Sequence, residues 1–197
     1  MFHVKHDFKE KLERYKEQVE IYHHTLDLMS DSGLAKLEEH IDDALRYADI
    51  IDTQMPTGVI VDVGSGVGLP GIVLASVLPE RKVILVERRR RRCTFLSIVV
   101  SKLELNNAEI YKDDVRDIEA EVSVVSAQAV ASLETIYCLT QHLHAEEILL
   151  VSRKNAVWQQ EIKALGQITP VVPQDVYTQS LDTNGTLVAV RVQGGRA

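Results

Sequence analysis

Ten consecutive residues carry most of the chemistry that can be read from this chain: Asp62-Val63-Gly64-Ser65-Gly66-Val67-Gly68-Leu69-Pro70-Gly71. Glycines at alternate positions let a backbone turn sharply and approach a ligand with no Cβ in the way. Gly66, Gly68 and Gly71 fit the G-x-G-x-x-G spacing of dinucleotide enzymes, a weak signal when it stands alone. The register argues against it, because the apolar run before the loop stops ahead of Gly64, two residues too early. About twenty residues beyond the loop, Glu87 closes a second apolar run, where an acid accepts hydrogen bonds from ribose hydroxyls.

Other groups invite weaker readings. Arg88 to Arg92 are five arginines in a row at a predicted helix start, where cations are mildly unfavourable. Some of them, Arg88 and Arg91 first, are candidates for phosphate contacts; a solvated face paired to nearby acids is the competing reading. His40 and Asp43 lie three apart on one helix face and could brace a substrate pocket or simply hydrogen-bond between helices. Lys154 follows a predicted strand, either as a phosphate contact or as a plain surface lysine. His23-His24 and His142 with His144 show no carboxylate or cysteine at ligand spacing, so no metal is expected. Cys93 and Cys138 sit in predicted helices as ordinary thiols.

These residues need elements to hold them. The chain of 197 residues, 45% hydrophobic, suffices for one α/β core and not for two domains. Helices are expected over Phe8–Met29 and from a cap at Asp31 or Ser32 through Leu34, Leu37, Ile41, Leu45 and Ala48. A turn at 54–58 then leads into the main domain, so residues 1–54 form a helical segment packed on a cofactor-binding domain, 55–197. Strands are expected at Val59–Val63, Val83–Val86, Ala108–Tyr111, Val122–Val125, Ile148–Val151, Val171–Tyr177 and Thr186–Val192. Helices fall between the first five: Leu69–Leu78, Arg89–Leu105 and Ser132–His144; Trp158–Leu165 follows the fifth. Such alternation builds a mostly parallel, doubly wound sheet. The last two strands, joined across Asp182–Gly185, leave no room for a helix and imply a closing antiparallel hairpin.

Composition narrows the setting. No run of 18 apolar residues suggests a membrane span, and Met1–Lys16 lacks the pattern of a signal peptide, so a cytoplasmic, monomeric enzyme is expected. The net charge of −7 does not announce nucleic-acid binding, though a local basic patch can serve, and thirteen acids against seven bases in residues 1–54 argue against the bulk of that segment as the main phosphate clamp.

Asp62 followed by Gly64, Gly66 and Gly68 resembles the D-x-G-x-G-x-G loop of S-adenosylmethionine-dependent class I methyltransferases, whose acid orders the loop against the methionine part of the cofactor. Those enzymes have a Rossmann-like, seven-stranded sheet ending in a hairpin. More narrowly, the chain from about Tyr22 to Val192 resembles the RsmG, or glucose-inhibited division protein B, family. The resemblance rests on His40-Ile41-Asp42-Asp43-Ala44, on Val61 to Gly71 with its Gly-Leu-Pro-Gly ending, and on Ala129-Val130-Ala131-Ser132-Leu133, with Arg91, Phe95-Leu96 and Lys154 in support.

That resemblance implies methyl transfer to N7 of a guanine in 16S rRNA of the small ribosomal subunit. It maps cofactor contacts to Gly64, Leu69, Val115, Arg116 and Gln128, beside Asp62, Ser65, Gly66, Gly68 and Glu87 from the loop and its acidic partner. The chain departs from the family at Thr25-Leu26-Asp27, Ser123, Gln128, Asn155 and Asn184-Gly185. Gln128 replaces an arginine, which keeps open a changed RNA or small-molecule target, or a homologue that binds without turning over. Guanine N7 has a lone pair and needs no general base, so positioning can carry the chemistry and no catalytic residue is expected. The chain has no Pro-Pro pair and no Pro-Cys pair, which argues against exocyclic-amine and pyrimidine-carbon methylation.

Overall fold

Short β-branched runs form the strands and amphipathic runs the helices of this computed structural model, which describes residues 6–128, 131–181 and 185–194. Seven strands, β1 (Ile60–Val63), β2 (Val83–Val86), β3 (Ala108–Tyr111), β4 (Val122–Gln128), β5 (His144–Lys154), β6 (Val176–Ser180) and β7 (Thr186–Gln193), make one sheet in the order β3-β2-β1-β4-β5-β7-β6. The first five run parallel, and β7 is antiparallel to both of its neighbours. This is the expected doubly wound sheet with a reversed hairpin.

Alternation along each strand sends successive side chains to opposite faces. Ile60, Val83, Leu85 and Val124 face a core completed by α1 (His6–Leu26), α3 (Leu37–Gln54), α4 (Gly71–Val77) and α5 (Arg90–Lys102). Val61, Ile84, Val86 and Val125 face the other core, under α6 (Leu133–Thr140) and α7 (Trp158–Leu165). The N-terminal helices share the first core: Tyr15, Val19, Tyr47 and Ile51 are buried among Ile72 and Phe95. Arg81 locks the approach to β1, its guanidinium donating to the carbonyls of Met55, Thr57 and Gly58 at 2.6–2.9 Å.

Several boundaries differ from expectation for local reasons. The second predicted helix is broken into α2 (Asp31–Leu34) and α3, and its cap is Ser30, whose hydroxyl accepts from the Gly33 amide. The helix expected through His144 stops at Thr140; a tight turn at Gln141–Leu143 follows, and His144 opens β5 fully buried. The strand expected at Val171–Tyr177 starts only at Val176, because Pro170 and Pro173 offer no N–H to a ladder. Of the family-like stretch at 129–133, Ala129 and Val130 lie outside the described residues, as do 182–184 of the hairpin turn.

Candidate cofactor and substrate cleft

Parallel register decides which strand ends meet. Val63 pairs with Val86 on one side and with Ala127 on the other, and Val86 pairs with Tyr111. The next residues, Gly64, Glu87, Lys112 and Gln128, therefore stand in a row along the carboxyl edge, where ligands of such sheets bind. Two clefts open there. One, of about 540 Å³, is lined by Leu28, Met29, His40, Gly64, Gln128 and the loop, together with Glu87, Arg88, Arg89 and Arg92. The other, of about 320 Å³, is lined by Val63, Val86, Asp113–Arg116 and Leu139, and shares Gly64, Glu87 and Arg88 with the first.

The loop is held from below and from the side. Gly64, Gly66 and Gly68 have φ of 71°, 60° and 103°, a region that L side chains rarely adopt. A Cβ on Gly66 would make only ordinary contacts, 3.7 Å from Arg92 Nη1 and from the Gly64 carbonyl, so it is the positive φ and not crowding that favours glycine there. By contrast, a Cβ on Gly71 would come within 2.6 Å of Asp62 Oδ2 and 2.3 Å of a Leu85 methyl. Gly71 is thus needed for packing of α4 on the sheet.

Asp62 lines neither cleft. It is completely buried beneath the loop, with Oδ1 accepting from Ser126 Oγ at 2.7 Å. Its Oδ2 has no hydrogen-bond partner of good geometry and lies against the Gly71 backbone. Burial pushes its carboxyl up to about 6, against the opposing pull of the Ser126 and Ser65 hydroxyls and the Gly71 amide. Ser65 Oγ donates to the Asp62 carbonyl, and the Tyr15 hydroxyl of α1 donates to the Val67 carbonyl at 3.0 Å. An N-terminal helix therefore holds the far side of the loop.

Glu87 is the carboxylate that both clefts share. Oε2 accepts from the Gly66 amide at 3.0 Å and Oε1 from the Arg89 amide at 2.8 Å. An anion three residues ahead of α5 offsets the unfavourable run of cations at that helix start. Of the five arginines, Arg88 and Arg89 reach the cleft from exposed positions, Arg91 points outside both clefts, and Arg92 is half-buried. Arg92 Nη1 lies 3.8 Å from Glu87 Oε2 and Nη2 donates to the Leu28 carbonyl at 3.5 Å. Arg92, not Arg91, is the helical arginine that lines the cleft, and it gets there through the packing of α5 beside the α1–α2 turn. Leu28 and Met29 carried no sequence signal, since they reach the cleft only through the turn between α1 and α2.

The remaining candidates divide. Val115 and Arg116 line the second cleft, with Arg116 paired to Asp114 at 2.9 Å; that pair, with Arg88, holds the Asp114 carboxyl well below the usual range. Ser65, Leu69, Gln128 and His40 line the main cleft. Burial, followed by the charge of Arg153, lowers the His40 pKa, so its ring is neutral at pH 7. Asp43 is buried behind it and faces Arg46 at 3.4 Å. Lys154 departs from its expected place: it is 6% exposed, and its ammonium donates to the Ala131 carbonyl at 2.6 Å and pairs with Glu161 at 2.8 Å. It ties β5 to α7 and does not present its charge to solvent. His23 also differs from expectation, because the α1–α2 turn brings Asp31 to within 3.4 Å of its Nε2.

The site fits S-adenosylmethionine: a glycine loop lining the cleft, a carboxylate at the end of β2, and a second recess beside Asp113–Arg116 for a flat base. Fold and site together define a class I, S-adenosylmethionine-dependent methyltransferase. The solved structures agree on the fold. M. jannaschii TYW2, in complex with AdoMet, superposes with a TM-score of 0.65 at 16% identity over 79% of this chain and 76% of its own. A SAM-dependent methyltransferase from Aquifex aeolicus gives 0.61 at 15% over 84% and 95%.

The chain belongs to the GidB family, described as rRNA small subunit methyltransferase G, whose profile matches residues 8–179. Ribosomal RNA small subunit methyltransferase G of Rickettsia rickettsii (strain Iowa) is 34% identical over 79% of this chain and 80% of its own length. The Erythrobacter litoralis relative of the same name is 33% identical over 71% and 68%.

Proposed function

We propose that this enzyme methylates N7 of a guanine in 16S rRNA, as a cytoplasmic monomer acting on the small ribosomal subunit. The family match over residues 8–179 carries the reading, and the relatives' printed names supply the substrate class. Among the described residues no helix is long and apolar enough to cross a membrane, which accords with that setting.

The chemistry asks little of the protein beyond placement. When bound, S-adenosylmethionine supplies a methyl group on a sulfonium, and guanine N7 attacks it through a lone pair without first losing a proton. The loop amides and the Glu87 carboxylate fix the cofactor side. His40, neutral and half-buried in the cleft wall, orients the base, and the exposed arginines at the cleft mouth take phosphate. Positioning of two reactants in this way can supply about 7–11 kcal/mol of barrier lowering.

The test is transfer of radiolabelled methyl from the cofactor to small subunits from cells lacking the modification. Label recovered as 7-methylguanine in 16S rRNA is the expected result; label elsewhere, or none from a preparation that binds cofactor, would overturn it. Gln128 favours a second reading, in which the chain binds but turns over poorly, because it lines the cleft where the family has arginine. Gln128→Arg would then raise turnover.

A further inference from the structure

The last turn of α1 carries His23 and His24, and α2 begins with Asp31. His23 Nε2 lies 3.1 Å from His24 Nε2 and 3.4 Å from Asp31 Oδ1, and one ligand atom from each residue lies within 4.8 Å of the others. We propose that these three residues bind a divalent transition metal, Zn²⁺ by donor type, that fastens the end of α1 to the start of α2 beside the cleft.

Distances and donor set both point to an ion. Tetrahedral zinc with ligands at about 2.0–2.1 Å sets neighbouring ligand atoms roughly 3.3 Å apart. The two measured separations lie either side of that value. The ring centroids are only 3.8 Å apart, with the planes tilted by 45°. A straight N–H···N bond between imidazoles would hold the centroids about 5 Å apart, so the rings lie side by side instead of donating head-on. His23 is 4% exposed and its Nδ1 has no partner. The buried His23 Nε2 thus has a second imidazole nitrogen and a carboxylate oxygen beside it, a donor set that can close on one ion. Two imidazoles and a carboxylate suit zinc, and three protein ligands leave a fourth position for water.

The consequence reaches the cleft through the turn that the ion would span. Leu28 and Met29 lie between the ligands and line the cleft wall. The Leu28 amide donates to the His23 carbonyl, and the Leu28 carbonyl accepts from Arg92, which faces Glu87. The ion would stiffen this wall and so tune binding in the cleft.

The full-length chain, stripped with chelator and titrated with Co²⁺, tests this. One equivalent should give the visible bands of tetrahedral cobalt, and Zn²⁺ should displace it. His24→Gln and Asp31→Asn alter exposed residues, so the fold should persist, while each weakens Co²⁺ binding by about tenfold or more. Zn²⁺ should raise the Tm of the parent and not that of His24→Gln. A parent that lacks the cobalt spectrum, or a variant that keeps it at parental affinity, would overturn the site.

Discussion

The floor of the cleft is made of backbone and buried side chains, whereas its mouth is made of long exposed cations. On the floor, Glu87, Asp62, Ser65 and Tyr15 each hold a stated atom of the glycine loop or of the strand beneath it. At the mouth, Arg88 and Arg89 sit exposed, Arg88 facing Asp114 from a side chain 74% exposed, and Arg90 and Arg91 lie exposed beyond them outside both clefts. The difference follows from what each must bind. A small cofactor of fixed shape rewards a rigid seat whose entropy cost is met on folding, while a polyanion is met by charges that need only be near. The departures from the family pattern at Gln128 and Asn155 also fall outside the loop, on the ends of β4 and β5.

The largest break in this contrast should come from Gly71→Ala. The added methyl would meet Asp62 and Leu85 at 2.6 and 2.3 Å, and overpacking of this kind costs about 3 kcal/mol. Urea unfolding should show that loss together with loss of cofactor binding. Gly66→Ala, uncrowded but at positive φ, should cost roughly 1 kcal/mol and yet still lower cofactor affinity. Unchanged affinity in Gly66→Ala would mean that the loop is not the cofactor's seat.

The buried titrating groups give a comparable effect through pH. Asp62 is raised to about 6, so its native state holds a proton more tightly than the unfolded chain. The stability this confers is complete below about pH 4 and is lost as pH rises through 6, on the order of 3 kcal/mol. His144 runs the other way: burial, helped by His142, lowers it to about 4. Its contribution is complete above about pH 6.5 and is lost as pH falls through 4. The two slopes oppose each other between pH 4 and 6. Asp62→Asn should therefore expose a steep loss of stability on acidification, and His144→Gln should remove that loss, as measured by denaturation midpoints across pH.

Glu87→Gln should weaken cofactor binding by roughly 10–100-fold, the worth of hydrogen bonds to a charged group. Calorimetry would measure this, with rRNA affinity unchanged. The smallest effect belongs to Arg91→Glu, which lies outside both clefts. It should reduce rRNA affinity a few-fold and flatten the salt dependence by about one ion, leaving cofactor affinity alone. If Arg91→Glu instead moved cofactor affinity and spared rRNA, floor and mouth would not be separate machines.

Legibility in the sequence followed the range of the forces involved. β2, β3 and α7 match their expected residues, because each is a short periodic run bounded by turn residues. The glycine loop and Glu87 were visible because a backbone that must turn sharply demands particular residue types at fixed spacing. Lys154 was misplaced, since no local pattern reveals that Glu161 and the Ala131 carbonyl would close over its ammonium. Arg92, Leu28 and Met29 were missed for the same reason: they reach the cleft by way of the packing of α1 against α5.

The sequence by itself therefore determined the strand and helix runs, the glycine loop and the acid that closes β2, all of which depend on residues near one another in the chain. Only the tertiary structure decided that Asp62 works from beneath the loop and that Tyr15 pins it from 52 residues away. It alone decided that His23 and His24 meet Asp31. Those outcomes depend on which faces pack together, and burial, not local spacing, sets the partners and the proton affinity of each group.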